Sequence, residues 1–471
     1  MTLFSLQFHT DIEGTRELFF RGDAALNESG ALVFGAGGVA AFDTYFNLFS
    51  HEKYAKYCGI SAARLRLNGR GQFYAKLYRK TENGDELLKN AEFCDVLELP
   101  FGIPAGSGFV WFSLEAPAGG ELYSGAFEAD VAAPNEVKLG AVICTFKREE
   151  FVARNMERVQ KAISAASEWT EKLHFFVVDN ARTLDLPESA LYTVIPNKNL
   201  GGSGGFTRGI MEVCKDSSFT HFLLMDDDIS FEFATLERTY NFLCALAPEH
   251  AQAAVGGAML VLEEPTVQYE LGAKFTGLRL LSRNHGRDLS DAAQLMQNEQ
   301  RADANFAAWW YCCMPVSFVR EYGLPMPFFI KGDDIEYGIR CMRDLILLNG
   351  IGIWHQDFSA KYNSALEYYS KRNELTTGAL HFPAGAVRPK FSLLYNVYKQ
   401  LTLKNYAAAE LVLRAYEDFL RGPRFFEETD GAELNAELLS MRPKSLPAAQ
   451  LEPLLDKETA KLLYETPEKQ R

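Results

Sequence analysis

The sequence predicts an α/β protein with a mostly parallel, doubly wound central sheet, preceded by a β-sandwich and followed by helices. Three observations carry this expectation. Short alternating strands with Gly-rich turns fill residues 1–135. Strand-like and helical runs then take turns over 136–375, the signature of βαβ units. Beyond about residue 365 the strand patterns stop and helical ones continue. A chain of 471 residues is too long for one core, so division into 1–135, 136–375 and 376–471 is expected.

The first segment shows segments such as Ala63-Arg64-Leu65-Arg66-Leu67, separated by turns such as Asn68-Gly69 and Glu82-Asn83-Gly84-Asp85. In the second, strands are expected at 138–144, 173–178, 191–195 and 221–225, with helices at 149–169 and 204–215. In the third, Val397, Leu401, Leu411, Leu413 and Leu420 fall among charges and predict one amphipathic helix over 395–420.

Composition narrows the function. Apolar content of 47% and aromatic content of 13% belong to a globular protein. A net charge of −14 argues against a nucleic-acid groove. The eight cysteines form no CxxC pair and no zinc spacing, which suits buried thiols in a reducing compartment. The first residues show neither a basic nor a long apolar run, and no apolar stretch reaches the ~20 residues a membrane helix needs, so a cytoplasmic protein is expected.

The chemistry concentrates at strand ends. Asp226-Asp227-Asp228 follow the apolar run His221–Met225, so the carboxylates emerge where an open α/β sheet binds ligands. Alternation along extended backbone puts Asp226 and Asp228 on one face, where a cation between them would relieve their repulsion; oxygen ligands suit Mg²⁺ or Mn²⁺. Thr145 and Arg148 follow the first strand of the segment and Asp179 ends the next. Asn199, Gly201 and Gly202 open a glycine-rich turn before a helix, a place for close backbone approach to an anion. Asp333 and Asp334 stand at a helix start, capped by Asp333 or Gly332, with Glu336 and Arg340 at i, i+4. An acid at this helix start is a candidate general base, and His355 a third metal ligand. Trp309 and Trp310 are adjacent aromatics of which one is expected to face a cleft, since neighbours on extended backbone point opposite ways.

Together the motifs TFKRE (145–149), VVDNA (177–181), NLGGSGGFTRG (199–209), MDDDI (225–229), WWY (309–311), FIKGDDIEYGIR (329–340) and WH (354–355) resemble inverting, metal-dependent family-2 glycosyltransferases of GT-A fold. More narrowly, they are similar to bacterial galactofuranosyltransferases of the mycobacterial cell-wall galactan polymerase type. The resemblance covers roughly 136–375, and the flanking segments match that family's three-part layout. It implies a UDP-sugar donor, with Thr145, Arg148, Asp179, Asn199, Gly201, Gly202 and Asp226 around the nucleotide. It implies Mn²⁺ or Mg²⁺ held by Asp226, Asp228 and His355, Asp334 as base, and Trp309, Trp310 and Asp333 along the acceptor, a glycan or lipid-linked glycan. One position departs: the family carries Trp before the acidic pair and this chain has Gly332, a change that bears on acceptor identity and linkage.

Three other readings stay open at this point. The donor could be another nucleotide sugar, such as a deoxyhexose donor. A sugar-1-phosphate nucleotidyltransferase would want a Gly-rich basic loop after the first strand, and 145–149 contains no glycine. A non-catalytic carbohydrate-binding protein gives no reason for the acidic clusters. Oligomerisation is open, as is weak peripheral membrane contact through basic residues at Lys371, Arg372, Arg388, Lys390, Lys399, Lys404, Arg414, Arg421 and Arg424.

Overall fold

The computed structural model describes residues 1–457 apart from 278, 301, 359–362, 384–387, 442–449 and 451. The N-terminal segment forms two antiparallel sheets. One contains Thr2–Ser5, Leu32–Phe34, Ala62–Arg70, Val96–Gly102 and Gly120–Glu128; the other contains Gly38–Ala41, Phe73–Thr81, Gly84–Phe93 and Phe109–Ala116. Strand period sets the core: Ala62–Arg70 buries Ala63, Leu65 and Leu67 and turns the residues between them outward. Phe34 meets Phe73 at 5.3 Å and Phe112 meets Phe127 at 6.3 Å across the two sheets.

The middle sheet has strands β1 (Leu139–Thr145), β2 (Leu173–Asp179), β3 (Tyr192–Pro196), β4 (His221–Asp226), β5 (Ala254–Val261), β6 (Val267–Glu270), β7 (Tyr311–Pro315) and β8 (Leu345–His355). Their order is β3-β2-β1-β4-β7-β5-β6, with Arg287–Asp288 beyond β6 and β8 parallel beside β5. β1 to β4 run parallel and β7 runs against both β4 and β5, the mixed sheet of a GT-A fold.

Helices α1 (Glu149–Ala165), α2 (Gly201–Val213), α3 (Phe233–Ala245), α4 (Asp333–Cys341), α5 (Ala365–His381), α6 (Pro389–Thr402) and α7 (Tyr406–Leu420) complete the part that concerns function. Two expectations need correction. α2 starts at Gly201, not at 204, because the glycines let it lie on β1: a Cβ on Gly205 would sit 2.1 Å from the Cys144 sulfur, and one on Gly209 2.1 Å from Val142. The single helix expected over 395–420 is two. Lys404 takes φ +55°, and the Asn405 side chain accepts from the Ala408 N–H at 3.2 Å to start α7.

The sandwich is packed against the middle sheet. Phe46 lies 5.6 Å from Trp354, Tyr45 donates to the Ile351 carbonyl at 3.1 Å, and buried Arg238 of α3 donates to the Phe46 carbonyl. The strand that ends in His355 is therefore braced from outside its own sheet.

Candidate active site

Register builds the edge. Thr145 pairs with Asp179 and Cys144 with Asp226, so β2, β1 and β4 deliver their last side chains in one row. The bridge between Ser230 and Trp354 then carries the end of β8 to the turn after β4, setting His355 against Asp228. Asp226, Asp228 and His355 each offer a ligand atom, and these atoms lie within 4.8 Å of one another.

The donor chemistry there fits a cation. His355 is buried, its Nδ1 lies 2.5 Å from the Gln356 carbonyl, and its Nε2 lies 3.1 Å from Asp228 Oδ1. If Nδ1 carries the proton, as that carbonyl requires, Nε2 and the carboxylate face each other as two acceptors. Only a proton or a metal ion between them satisfies both. Burial, then the charge of Asp228, pushes the Asp226 carboxyl up to about 6. Two hard oxygens and an imidazole suit Mn²⁺ and accept Mg²⁺.

Arg148, expected beside the nucleotide, is engaged by the acidic turn. Its Nη1 bridges Asp227 at 2.7 Å and Asp228 at 2.8 Å. Burial works against that guanidinium's charge, but the three aspartates outweigh it and hold its pKa above the ordinary value. Asp227 is thus neutralised on the far side of the turn, and Asn155 of α1 donates to the Asp227 and Ile229 carbonyls at 3.3 and 3.0 Å.

Asp179 reaches the edge but its carboxylate is already engaged. It accepts from the N–H groups of Ala181 and Arg182 at 2.9 Å each and of Leu184 at 2.7 Å, so it shapes the loop after β2. Asn199 accepts from the Gly201 N–H at 3.1 Å. Gly201, at φ +72°, is a glycine because a Cβ would come within 2.0 Å of the Phe329 carbonyl oxygen; Gly202 opens on free space.

The second acidic centre begins in a contorted loop. Phe329, Lys331 and Gly332 all have positive φ, at 72°, 65° and 81°. Such backbone persists only when its surroundings hold it. Arg372 donates to the Phe328 carbonyl at 2.7 Å, Asn373 to those of Ile330 and Lys331 at 3.0 and 2.6 Å, and Ser203 to that of Phe329 at 3.3 Å. Gly332, not Asp333, is the residue that caps α4. Burial, reinforced by Asp334, pushes the Asp333 carboxyl up to about 7. Burial also raises Asp334, against the Ile335 N–H it accepts at 2.8 Å and the charge of Lys331. Glu336 is structural, taking Arg340 and His381 at 2.8 Å each.

Sequence reasoning missed Glu270 at the end of β6. Burial, with Asp334 adding to it, pushes its carboxyl up to about 7. A lone acid closing a four-residue strand gave no signal; only the sheet brings it toward Asp334.

The expectation that one tryptophan faces a cleft is not met. Trp309 is 4% exposed and Trp310 7%, because they stand in the turn just before β7 and each packs into a different core cluster. Trp310 donates to the Gly257 carbonyl at 3.0 Å. The Trp309 indole N–H has no partner among the described residues. Phe358 links Trp310 to His355, at 6.3 and 4.8 Å. A cavity of about 550 Å³ lies at the other end of β4, by His221 and Arg320, away from this chemistry.

Residues 138–359 match the glycosyltransferase-like family 2, and this part of the chain is a glycosyltransferase family 2 domain. The chain is similar to the galactofuranosyltransferase GlfT2 of Mycolicibacterium smegmatis, 28% identical over 434 residues, and to that of Mycobacterium tuberculosis, 27% identical over 439 residues. Each match covers 83% of this chain and 66% or 67% of the relative, so the chain spans about two thirds of their length. A mannosyltransferase from Pyrobaculum calidifontis, solved with GDP-Man and Mn²⁺, aligns with 71% of this chain and 84% of its own at 14% identity and a TM-score of 0.37, too distant to argue from.

Proposed function

We propose that this chain transfers a sugar, galactofuranose from UDP-galactofuranose, to a hydroxyl of a glycan acceptor in cell-surface polysaccharide synthesis, with inversion at the anomeric carbon. The observation that carries the reading is the Asp226–Asp228–His355 triad on the same edge as the acidic head of α4. The similarity to two galactofuranosyltransferases supports the choice of sugar.

In this reading the row of strand ends at Thr145, Asp179 and Asp226 receives the nucleotide, with the α2 turn at Asn199, Gly201 and Gly202 beneath its phosphates. Asp226, Asp228 and His355 hold Mn²⁺ or Mg²⁺, which when bound offsets charge on the departing diphosphate. Arg148 fixes the Asp227–Asp228 turn. Asp334 accepts the acceptor hydroxyl's proton as that oxygen bonds to the anomeric carbon and the bond to the diphosphate breaks. A carboxyl raised by burial is the stronger base for that task. Asp333 lies along the acceptor side. The segments 1–135, 136–375 and 376–471 then act as brace, catalytic domain and helical flank.

The test is UDP release from candidate UDP-sugars with Mn²⁺, measured with and without glycan acceptors. Acceptor-dependent release from UDP-galactofuranose above the other donors is expected. Equal release from several donors would remove the choice of sugar, and none from any would remove the reading.

A further inference from the structure

The sequence pattern gathers Lys371, Arg372, Arg414 and Arg421 into a basic surface, and the fold takes them out of it. Lys371 and Arg372 are buried, and Arg414 and Arg421 are paired with Asp418. The Arg372 guanidinium lies among the rings of Tyr368, Tyr369, Phe425 and Phe426, at 4.9–5.3 Å. Burying a cation is costly unless its donors are used. Those of Arg372 are spent on the loop that leads into α4.

Two adjacent side chains grip that loop. Arg372 donates through Nη2 to the Phe328 carbonyl at 2.7 Å and through Nε to Asn373 Oδ1 at 2.8 Å. The second bond fixes which way the Asn373 amide faces, because its oxygen is taken by the guanidinium. Its Nδ2 is thereby turned to the Ile330 and Lys331 carbonyls, at 3.0 and 2.6 Å, which use both of its hydrogens. On the other side of the loop stands Ser203, in the first turn of α2. It donates through Oγ to the Met326 carbonyl at 2.6 Å and through its N–H to that of Phe329 at 3.3 Å. The loop is thus clamped between the glycine-rich turn and α5, and it passes through Gly332 straight into the acid pair. Its left-handed residues would not keep this path unaided.

We propose that Arg372 and Asn373 are positioning residues for transfer: through the carbonyls of Phe328, Ile330 and Lys331 they aim Asp334 at the acceptor hydroxyl, in register with the nucleotide side at Ser203. The inference rests on the transferase reading above. The grip governs the chemical step and not donor or metal binding, since the Asp226–Asp228–His355 edge is set by β4 and β8.

The cleanest test is Asn373→Asp. Its shape is unchanged and one oxygen still accepts from Arg372, but the other meets the Ile330 and Lys331 carbonyls as a third acceptor. Transfer at saturating donor and acceptor is measured beside calorimetry of UDP and Mn²⁺ binding, and hydrogen exchange is followed over residues 326–334. Asn373→Asp is expected to lose about a hundredfold in kcat, the cost of misplacing a reacting group by about 1 Å. Donor KM and both binding constants should stay parental, and the loop should exchange faster. Arg372→Lys keeps the charge and loses the planar fork, so it should lower kcat as well. Full transfer by that variant would remove Arg372 from the role. Leu411→Ala is the control: it opens the same helical packing and lowers the melting temperature without removing a donor from the loop. The folded Leu411→Ala protein should transfer at the parental rate. Equal losses of kcat in Asn373→Asp and Leu411→Ala would make the grip merely structural and overturn the proposal. So would parental transfer by Asn373→Asp, whether or not its loop exchanges faster. No transfer by the parent would overturn the transferase reading and this role with it, whereas parental transfer with any of those outcomes overturns this role alone.

Discussion

At the end of β4, Asp227 and Asp228 share the Arg148 guanidinium at 2.7 and 2.8 Å, and Asp228 also faces His355. At the head of α4, Asp333 and Asp334 adjoin each other, and the charge of Lys331 works against the rise of Asp334. Both groups are largely shielded from water, and the difference lies in what compensates them. The first centre has an arginine and an imidazole beside it, which work against burial and mutual repulsion, although Asp226 still stands at about 6 and Asp227 above its ordinary value. The second is shielded by burial with little compensation, so its carboxyls, and that of Glu270, are pushed toward holding a proton. In the proposed reading the first centre holds a cation and the second moves a proton.

The strongest way to break this contrast is to remove a ligand from the first centre. Asp228→Ala and His355→Ala should each lower metal-dependent transfer by at least about a hundredfold while the fold survives. Circular dichroism checks the fold, and activity titrated with Mn²⁺ checks the loss. Full turnover by either variant at Mn²⁺ levels limiting for the parent would sink the metal assignment.

In the second centre, Asp334→Asn should cost about a hundredfold or more in transfer, with UDP-sugar binding retained. Asp333→Asn should cost less, because in the proposed reading Asp333 lines the acceptor without taking its proton. Single-turnover kinetics beside donor-binding calorimetry separates the two effects. If Asp333→Asn proves the worse variant, the base is Asp333.

Much of this contrast was legible in the sequence, for a physical reason. Apolar runs ending in acids mark strand ends, and parallel strands place their ends on one edge, so Asp226, Asp228 and His355 could be brought together from pattern alone. The glycine run pointed to a close approach at the start of α2, though what approaches there is the Phe329 carbonyl and the β1 side chains. Trp309 and Trp310 were misjudged because they stand in the turn before β7, where strand alternation does not apply, and both are packed into the core. Arg148, the engaged carboxylate of Asp179 and the proximity of Glu270 to Asp334 depend on side-chain reach across 80 residues or less in space-filling detail, which no local pattern encodes.

Glu270 sharpens the comparison through pH. Its raised carboxyl favours the protonated form in the folded state, so the stabilisation is complete below the ordinary value of 4.5 and is lost as pH climbs through about 7. The loss is at most roughly 3 kcal/mol. Urea unfolding of the metal-free protein at pH 5 and pH 8 should show the parent losing more stability with rising pH than Glu270→Gln. Identical pH slopes would mean that Glu270 titrates normally.

The smallest effect tests the loop that aims the second centre. Gly332 sits at φ +81°, and a Cβ there would approach the Asn373 Cβ to 3.2 Å. Asn373 is the residue that holds the Ile330 and Lys331 carbonyls, so the crowding acts on the clamp that sets Asp333 and Asp334. Gly332→Ala should cost about 1–2 kcal/mol, from the left-handed backbone that alanine resists. Gly332→Asn should cost less, because asparagine tolerates that conformation. Gly202→Ala is the control, since its Cβ meets nothing within 4 Å. Thermal unfolding ranks the three, and equal melting temperatures for Gly332→Ala and Gly202→Ala would remove the strain argument. A tryptophan at position 332, the residue of the family this chain resembles, would face the same backbone penalty. Gly332→Trp alone should therefore lower activity rather than recover an acceptor preference.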